Sequence, residues 1–210
     1  VYKRSTLNGM KSELVRQYSS QGRYGAGVEV ETTAMPRNTI NLKIIIDEGE
    51  SAAIKKVNII GNEIFSDDEL LEGFELKEGK WYAFLSNKDK YSREKLEGDI
   101  ENLESYYLDR GYLKFSIESS QVSISKNKED VFITLSISEG VQYKIDDVTV
   151  IGEMPLNEDM FLPIIESQKD QIYSQAQITQ IEEYLVNLLG NEGYTFAEVT
   201  GNPEINEENQ

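Results

Sequence analysis

The sequence predicts an α+β protein of tandem modules, each a βααββ unit with two helices on a three-stranded mixed sheet. Three observations carry that expectation. Helix-like stretches ending in a glycine and a nearby tyrosine occur three times, at Gly22 with Tyr24, Gly111 with Tyr112 and Gly193 with Tyr194. The glycines lie 89 (111 − 22) and 82 (193 − 111) residues apart. The strand-like run Val57-Asn58-Ile59-Ile60-Gly61-Asn62 returns as Val148-Thr149-Val150-Ile151-Gly152-Glu153, at an offset of 91 (148 − 57). Asp47-Glu48-Gly49 matches Ser138-Glu139-Gly140 at the same offset, and Tyr91-Ser92 matches Tyr173-Ser174 at 82 (173 − 91). The offset therefore changes between Gly61 and Tyr91, so the middle copy carries about nine extra residues (91 − 82) around Lys77–Lys90.

The middle copy reads strand, helix, helix, strand, strand. Residues 54–60 form a first strand, with Val57 and Ile59 on one face. Ser66-Asp67-Asp68-Glu69 has the capping-box pattern that opens a helix, with Leu70, Leu71 and Phe74 as its buried side. Ser92 opens a second helix, in which Leu96, Ile100, Leu103 and Tyr107 recur at spacings of four, three and four. Gly111 ends it in the left-handed conformation a helix terminus needs.

A second strand spans Leu113–Ser125 and a third Val131–Ile137, joined by a turn over Lys126–Asp130. In the third, Val131, Ile133, Leu135 and Ile137 alternate with Phe132, Thr134 and Ser136. In the second, Leu113, Phe115 and Ile117 are apolar at odd positions but Val122 and Ile124 at even ones. A β-bulge near Glu118, Ser119, Ser120 and Gln121 restores the phase, and bulges favour edge strands. The alternative is a strand that ends near Ile117.

The flanking copies are partial by this template. Residues 1–49 hold a second helix with Leu7, Leu14 and Tyr18, then strands near Gly27–Ala34 and Asn38–Asp47. Residues 50–140 are the complete copy. Residues 141–210 run through a helix at Ser174–Leu189 to a strand near Thr195–Thr200, with the last strand of that copy expected beyond Gln210. Short joins at Glu48–Ala52 and Glu139–Gln142 tie each copy closely to the next.

Composition narrows the function classes. The net charge is −17, from 21 basic and 38 acidic residues. Nucleic-acid binding requires a basic stripe, so it is not expected. The chain has neither Cys nor His, which removes thiol nucleophiles, thiolate metal sites and the commonest general base. No segment approaches the ~18 apolar residues of a membrane-spanning helix.

Motifs suggestive of chemistry have simpler readings. Ser92-Arg93-Glu94-Lys95 matches the serine–lysine pattern S-x-x-K, but no partner motif accompanies it and serine is a preferred helix cap. Asp67, Asp68 and Glu69, like Asp146 and Asp147, lack the spaced loop and central glycine of a calcium site. Trp81, Tyr82, Phe84 and Leu85 in the insertion read as a satellite core or a partner contact. No catalytic residue, metal or cofactor is expected.

The repeat length, the Gly-Tyr after the second helix and the Glu-Gly closing the third strand resemble the POTRA family. The strings Tyr107–Tyr112, Pro36-Arg37-Asn38, Val57–Asn62 and Pro203–Asn206 are similar to the second to fourth repeats of BamA-type outer-membrane assembly factors. That resemblance implies a non-enzymatic scaffold in the periplasm of a Gram-negative bacterium, attached to the outer membrane through a C-terminal barrel absent from this chain. It further implies accessory lipoproteins and unfolded outer-membrane proteins as partners, bound partly by β-augmentation. A BamB-like lipoprotein would dock on the second strand of the middle copy, at Leu113, Phe115, Ile117, Glu118, Ser119, Ser120, Gln121, Val122 and Ile124. A two-partner secretion or translocation-assembly transporter, or a passive spacer, remains as an alternative.

Overall fold

The computed structural model describes residues 4–37, 39–79, 90–152 and 155–206. The chain forms two compact units, one of residues 1–102 with 117–137, the other of residues 103–116 with 138–210. The aromatic run Trp81–Leu85 lies outside the described residues.

The first unit opens with α1 (Arg4–Ser20), followed by β1 (Gly27–Met35) and β2 (Thr39–Asp47). These two strands pair antiparallel from Gly27↔Asp47 to Met35↔Thr39. Arg37, at φ 64°, turns the chain between them, and the Thr39 hydroxyl closes the turn by donating to the Pro36 carbonyl at 2.9 Å. Both strands fall within two residues of the sequence expectation.

The middle copy supplies β3 (Ala53–Ile60), α2 (Asp67–Glu72), α3 (Arg93–Leu108), β4 (Ser116–Ile124) and β5 (Asp130–Ser138). The sheet order is β3-β5-β4. β3 and β5 run parallel from Ala53↔Asp130 to Ile60↔Ser136, with a register shift between Ile54 and Lys56. That shift explains why Ile54, Val57 and Ile59 are all buried although 54 and 57 differ in parity. On β5, Val131, Ile133, Leu135 and Ile137 are only 0–4% exposed, as their alternation demands. The turn into β5 is closed by the Asp130 N–H donating to Ser125 Oγ at 2.9 Å, with Lys128 left-handed at φ 65°.

α2 begins with the expected capping box: Ser66 Oγ accepts the Glu69 N–H, and the Glu69 carboxylate accepts the Ser66 N–H at 2.9 Å. Leu70 and Phe74 are buried, while Leu71 is half-buried. On α3, Leu96, Leu103 and Tyr107 are buried and Ile100 is half-buried.

In the second unit, α4 (Leu162–Glu166) and α5 (Gln175–Asn191) enclose a cluster of Leu156, Phe161, Ile165, Leu185 and Leu189. Ser174 caps α5 by accepting the Gln177 N–H at 3.3 Å. Two expectations are corrected here. Residues 145–151, which match β3 by the repeat offset, form no strand; among the described residues this stretch pairs only at its start, where Ile145 bonds to Asp170 and Gln171 beside the Lys144–Ile172 bridge. Thr195–Thr200 forms none either, although Ala197 and Val199 pack on the cluster with the alternation of one. A strand exists through the ladder that satisfies its N–H and C=O groups, and among the described residues no third segment runs between these two to supply it.

Candidate docking edge

A sheet ordered β3-β5-β4 has two edges, and they differ. The outer side of β3 is occupied by the chain itself. The Gly79 N–H donates to the Ile54 carbonyl at 2.8 Å, the Val57 N–H donates to Glu78 Oε1 at 3.2 Å, and Lys90 bridges antiparallel to Ala53. The segment that makes these bonds is pinned from below by Asp99 on α3. Its carboxylate is 1% exposed and accepts the N–H groups of Glu75 and Leu76. Burial pushes the Asp99 carboxyl above its ordinary range, while those two N–H bonds pull it back down. The Lys77 ammonium donates to the Leu71 and Glu72 carbonyls at 2.7 and 2.9 Å, closing the C-terminus of α2.

The outer side of β4 is different. Among the described residues, no backbone group from outside the sheet bonds to Ser116–Ile124. The strand reads SIESSQVSI, with Glu118 its only charged residue. Edge strands usually deter pairing with lysines and other charges, as β3 does with Lys55 and Lys56. β4 has no such row of charges.

The burial of β4 changes phase midway. Ile117 and Ser119 are half-buried at odd positions, Ser120 and Gln121 are both exposed, and Val122 is half-buried at an even position. The strand continues through the change to Ile124, so it does not end near Ile117. On its inner side, the Ser136 hydroxyl of β5 meets the Glu118 carboxylate at 3.5 Å.

Not every residue expected on this strand lies there. Leu113 and Phe115 belong to the turn after α3. The Leu113 N–H donates to the Gly111 carbonyl at 3.1 Å and the Phe115 N–H to the Tyr112 carbonyl at 3.0 Å. Phe115 also stacks on the Tyr107 ring, with centroids 4.1 Å apart. The left-handed glycine forces a tight reversal, so extended geometry starts three residues later than the alternation suggests. Ile117, Glu118, Ser119, Ser120, Gln121, Val122 and Ile124 are on β4. No periodic signal in the sequence marks the occupation of the β3 edge, because Glu78 and Gly79 build it from an irregular loop.

Chemistry has no comparable focus. Among the described residues, no three acidic, histidine or cysteine side chains converge to hold a metal ion, and none of the described helices is long and apolar enough to cross a membrane. Ser92 lies directly before α3, consistent with its reading as a helix-opening residue.

Comparison with known proteins gives the lineage. The chain is 26% identical over 210 residues to the outer membrane protein assembly factor BamA of Neisseria meningitidis, covering 99% of this chain and 26% of that protein. It is 29% identical over 189 residues to BamA of Buchnera aphidicola, covering 90% of this chain and 30% of that one. The chain thus spans under a third of the length of these relatives. Among solved structures, Haemophilus influenzae BamA POTRA3-5 aligns over 90% of this chain and 70% of its own, at 16% identity and a TM-score of 0.49. The POTRA family, described as a surface antigen variable number repeat, matches residues 1–49, 52–140 and 143–210. With nearly its whole length in three such matches, the chain belongs to the POTRA family.

Proposed function

We propose that the chain is a periplasmic scaffold in outer-membrane β-barrel assembly, and that β4 is its docking edge for accessory lipoproteins and nascent outer-membrane proteins. The modules would be residues 1–49, 50–140 and 141–210, the complete central one presenting the edge. The observation that carries this reading is the contrast between the two edges of one sheet: β3 is closed by its own loop, and β4 is open and nearly uncharged. An open edge binds an extended partner through backbone hydrogen bonds, which tolerate sequence variety. Clients that share alternation rather than sequence suit that mode. The phase change at Ser120–Gln121 limits how long a partner strand can pair in one register, which keeps an exposed edge from templating aggregation. The relatives' names, as assembly factors, support the scaffold role over an enzymatic one.

The test uses two single variants, Glu118→Pro and Ser119→Pro, in the regularly alternating part of β4 before its phase change. Proline removes a backbone donor, and neighbouring N–H groups in a strand point to opposite sides. One variant then blocks the outer edge alone, and circular dichroism identifies the one that keeps its fold. Binding of a BamB-like lipoprotein from the same organism is measured by surface plasmon resonance. Loss of binding by the folded variant supports docking at β4. Wild-type binding by that variant removes β4 as the interface.

A further inference from the structure

The two joins between matched repeats are built from the same bonds, placed at the repeat offsets. Each lies within one compact unit. In the first, the Gly22 carbonyl accepts the Ala52 N–H at 2.9 Å, and the Ala52 carbonyl accepts the Tyr91 N–H at 3.2 Å. In the second, the Gly111 carbonyl accepts the Tyr143 N–H at 2.8 Å, and the Tyr143 carbonyl accepts the Tyr173 N–H at 3.1 Å. The antiparallel bridges Ala53↔Lys90 and Lys144↔Ile172 also correspond. A tyrosine on the helix that precedes each glycine donates to a glutamate in the join: Tyr18 to Glu48 at 3.3 Å, and Tyr107 to Glu139 at 2.7 Å.

The glycines are required by space as well as by φ. A Cβ at Gly22 would lie 2.6 Å from the Tyr91 carbonyl oxygen, and one at Gly111 would lie 2.7 Å from that of Tyr143. Real Cβ atoms do not approach so closely. Gly193 is the corresponding helix-ending glycine of the third copy, also left-handed at φ 99°, and a Cβ there meets nothing within 4 Å. The left-handed conformation therefore belongs to the end of every such helix. The missing Cβ serves the join only where the next repeat's backbone passes over the glycine.

We propose that Gly22–Ala52–Tyr91 and Gly111–Tyr143–Tyr173 are backbone clasps that fix each repeat to its successor. The carbonyl of the helix-ending glycine docks the incoming chain, and that chain's carbonyl in turn docks the start of the next repeat's second helix. The clasp uses only main-chain atoms, so side-chain sequence can drift at the join while the bond pattern persists. Ala52 and Tyr143 hold the same position with unrelated side chains. This inference rests on the geometry of the joins and stands whether or not β4 docks a partner.

Hydrogen exchange on the full chain tests it. The Tyr143 and Tyr173 amides are expected to exchange as slowly as those of β5, since a clasp opens only with the surrounding structure. Gly111→Ala is expected to speed both by roughly tenfold or more while β5 amides keep their protection. Gly193→Ala imposes the same φ strain without a clasp and is expected to leave Tyr143 and Tyr173 unchanged. If Gly111→Ala unfolds the protein, Gly22→Ala gives the same reading at Ala52 and Tyr91, with Tyr143 and Tyr173 as its internal reference. Fast exchange at Tyr143 in the wild type overturns the proposal. So does a folded Gly111→Ala or Gly22→Ala whose clasp amides remain protected.

Discussion

β2 and β5 are the same strand of successive repeats, 91 residues apart (130 − 39), and they show how little alternation settles by itself. Ile40, Leu42, Ile44 and Ile46 on β2 correspond to Val131, Ile133, Leu135 and Ile137 on β5. The first four are 40–42% exposed and the second four 0–4%. Both sets fall on every second residue, and both strands have an antiparallel neighbour earlier in the chain. β5 also has β3 along its other side, in parallel register, whereas among the described residues β2 pairs with β1 alone. Alternation therefore decides which side chains share a face. Burial requires a second strand to complete the surface those side chains pack into.

Truncation at equivalent positions gives the largest expected effect. Leu135→Ala removes a fully buried side chain and should cost about 2–5 kcal/mol, by lost transfer and the cavity left behind. Ile44→Ala removes a side chain already in water over much of its surface and should cost under about 1 kcal/mol. Urea denaturation of the full chain measures both. Equal losses would mean that β2 is buried in solution and would break the comparison.

The same contrast explains what the sequence reveals and what it conceals. The elements of the middle copy are legible because each signal is local: the capping box at Ser66, the helical stripe from Leu96 to Tyr107, the alternation from Val131 to Ile137. The edge position of β4 is also legible, since a phase change between Ile117 and Val122 is costly inside a sheet. Thr195–Thr200 reads as a strand for an equally local reason, yet no ladder forms, because pairing depends on a segment elsewhere. The start of β4 is misplaced because Leu113 and Phe115 continue the apolar period through a turn, where Phe115 serves the Tyr107 ring. The closure of the β3 edge has no periodic signature at all. It depends on Asp99, which stands outside the apolar stripe of α3.

Asp99 provides the next effect, on the closed edge of the same sheet as β5. Asp99→Ala leaves the Glu75 and Leu76 N–H groups without their acceptor and should cost about 2–3 kcal/mol. Asp99→Asn separates charge from hydrogen bonding. Burial raises the folded-state pKa of Asp99 above the ordinary 3.8, with Glu75 adding to the rise and Lys77 opposing it. A raised carboxyl favours folding in its protonated form. Its contribution is fully present below the unfolded pKa and is lost as pH rises through the folded one. The stability of wild type relative to Asp99→Asn should therefore be greatest in acid and decline above pH 3.8, reaching a plateau once Asp99 has ionised. Paired denaturation curves across that window read it out, and a difference independent of pH would show that burial does not perturb this group.

The smallest effect sharpens the comparison at the joins, where the bonds are equivalent and the surroundings are not. Tyr107 is fully buried and donates to Glu139, itself 7% exposed. Burial and the neighbouring carboxylate hold the Tyr107 hydroxyl well above its ordinary pKa, so it remains a donor throughout the working pH range. Tyr18 is half-buried, and its partner Glu48 is exposed. Tyr107→Phe takes a hydrogen bond from a buried carboxylate that water cannot readily replace, at an expected cost of about 1–2 kcal/mol. Tyr18→Phe removes a longer bond at a site where water substitutes, and should fall within about 0.5 kcal/mol of wild type. Both variants keep the ring, so thermal unfolding isolates the hydroxyl. A Tyr18→Phe loss as large as that of Tyr107→Phe would show that the first join is shielded from water in solution, and would extend to it the burial that β5 has and β2 lacks.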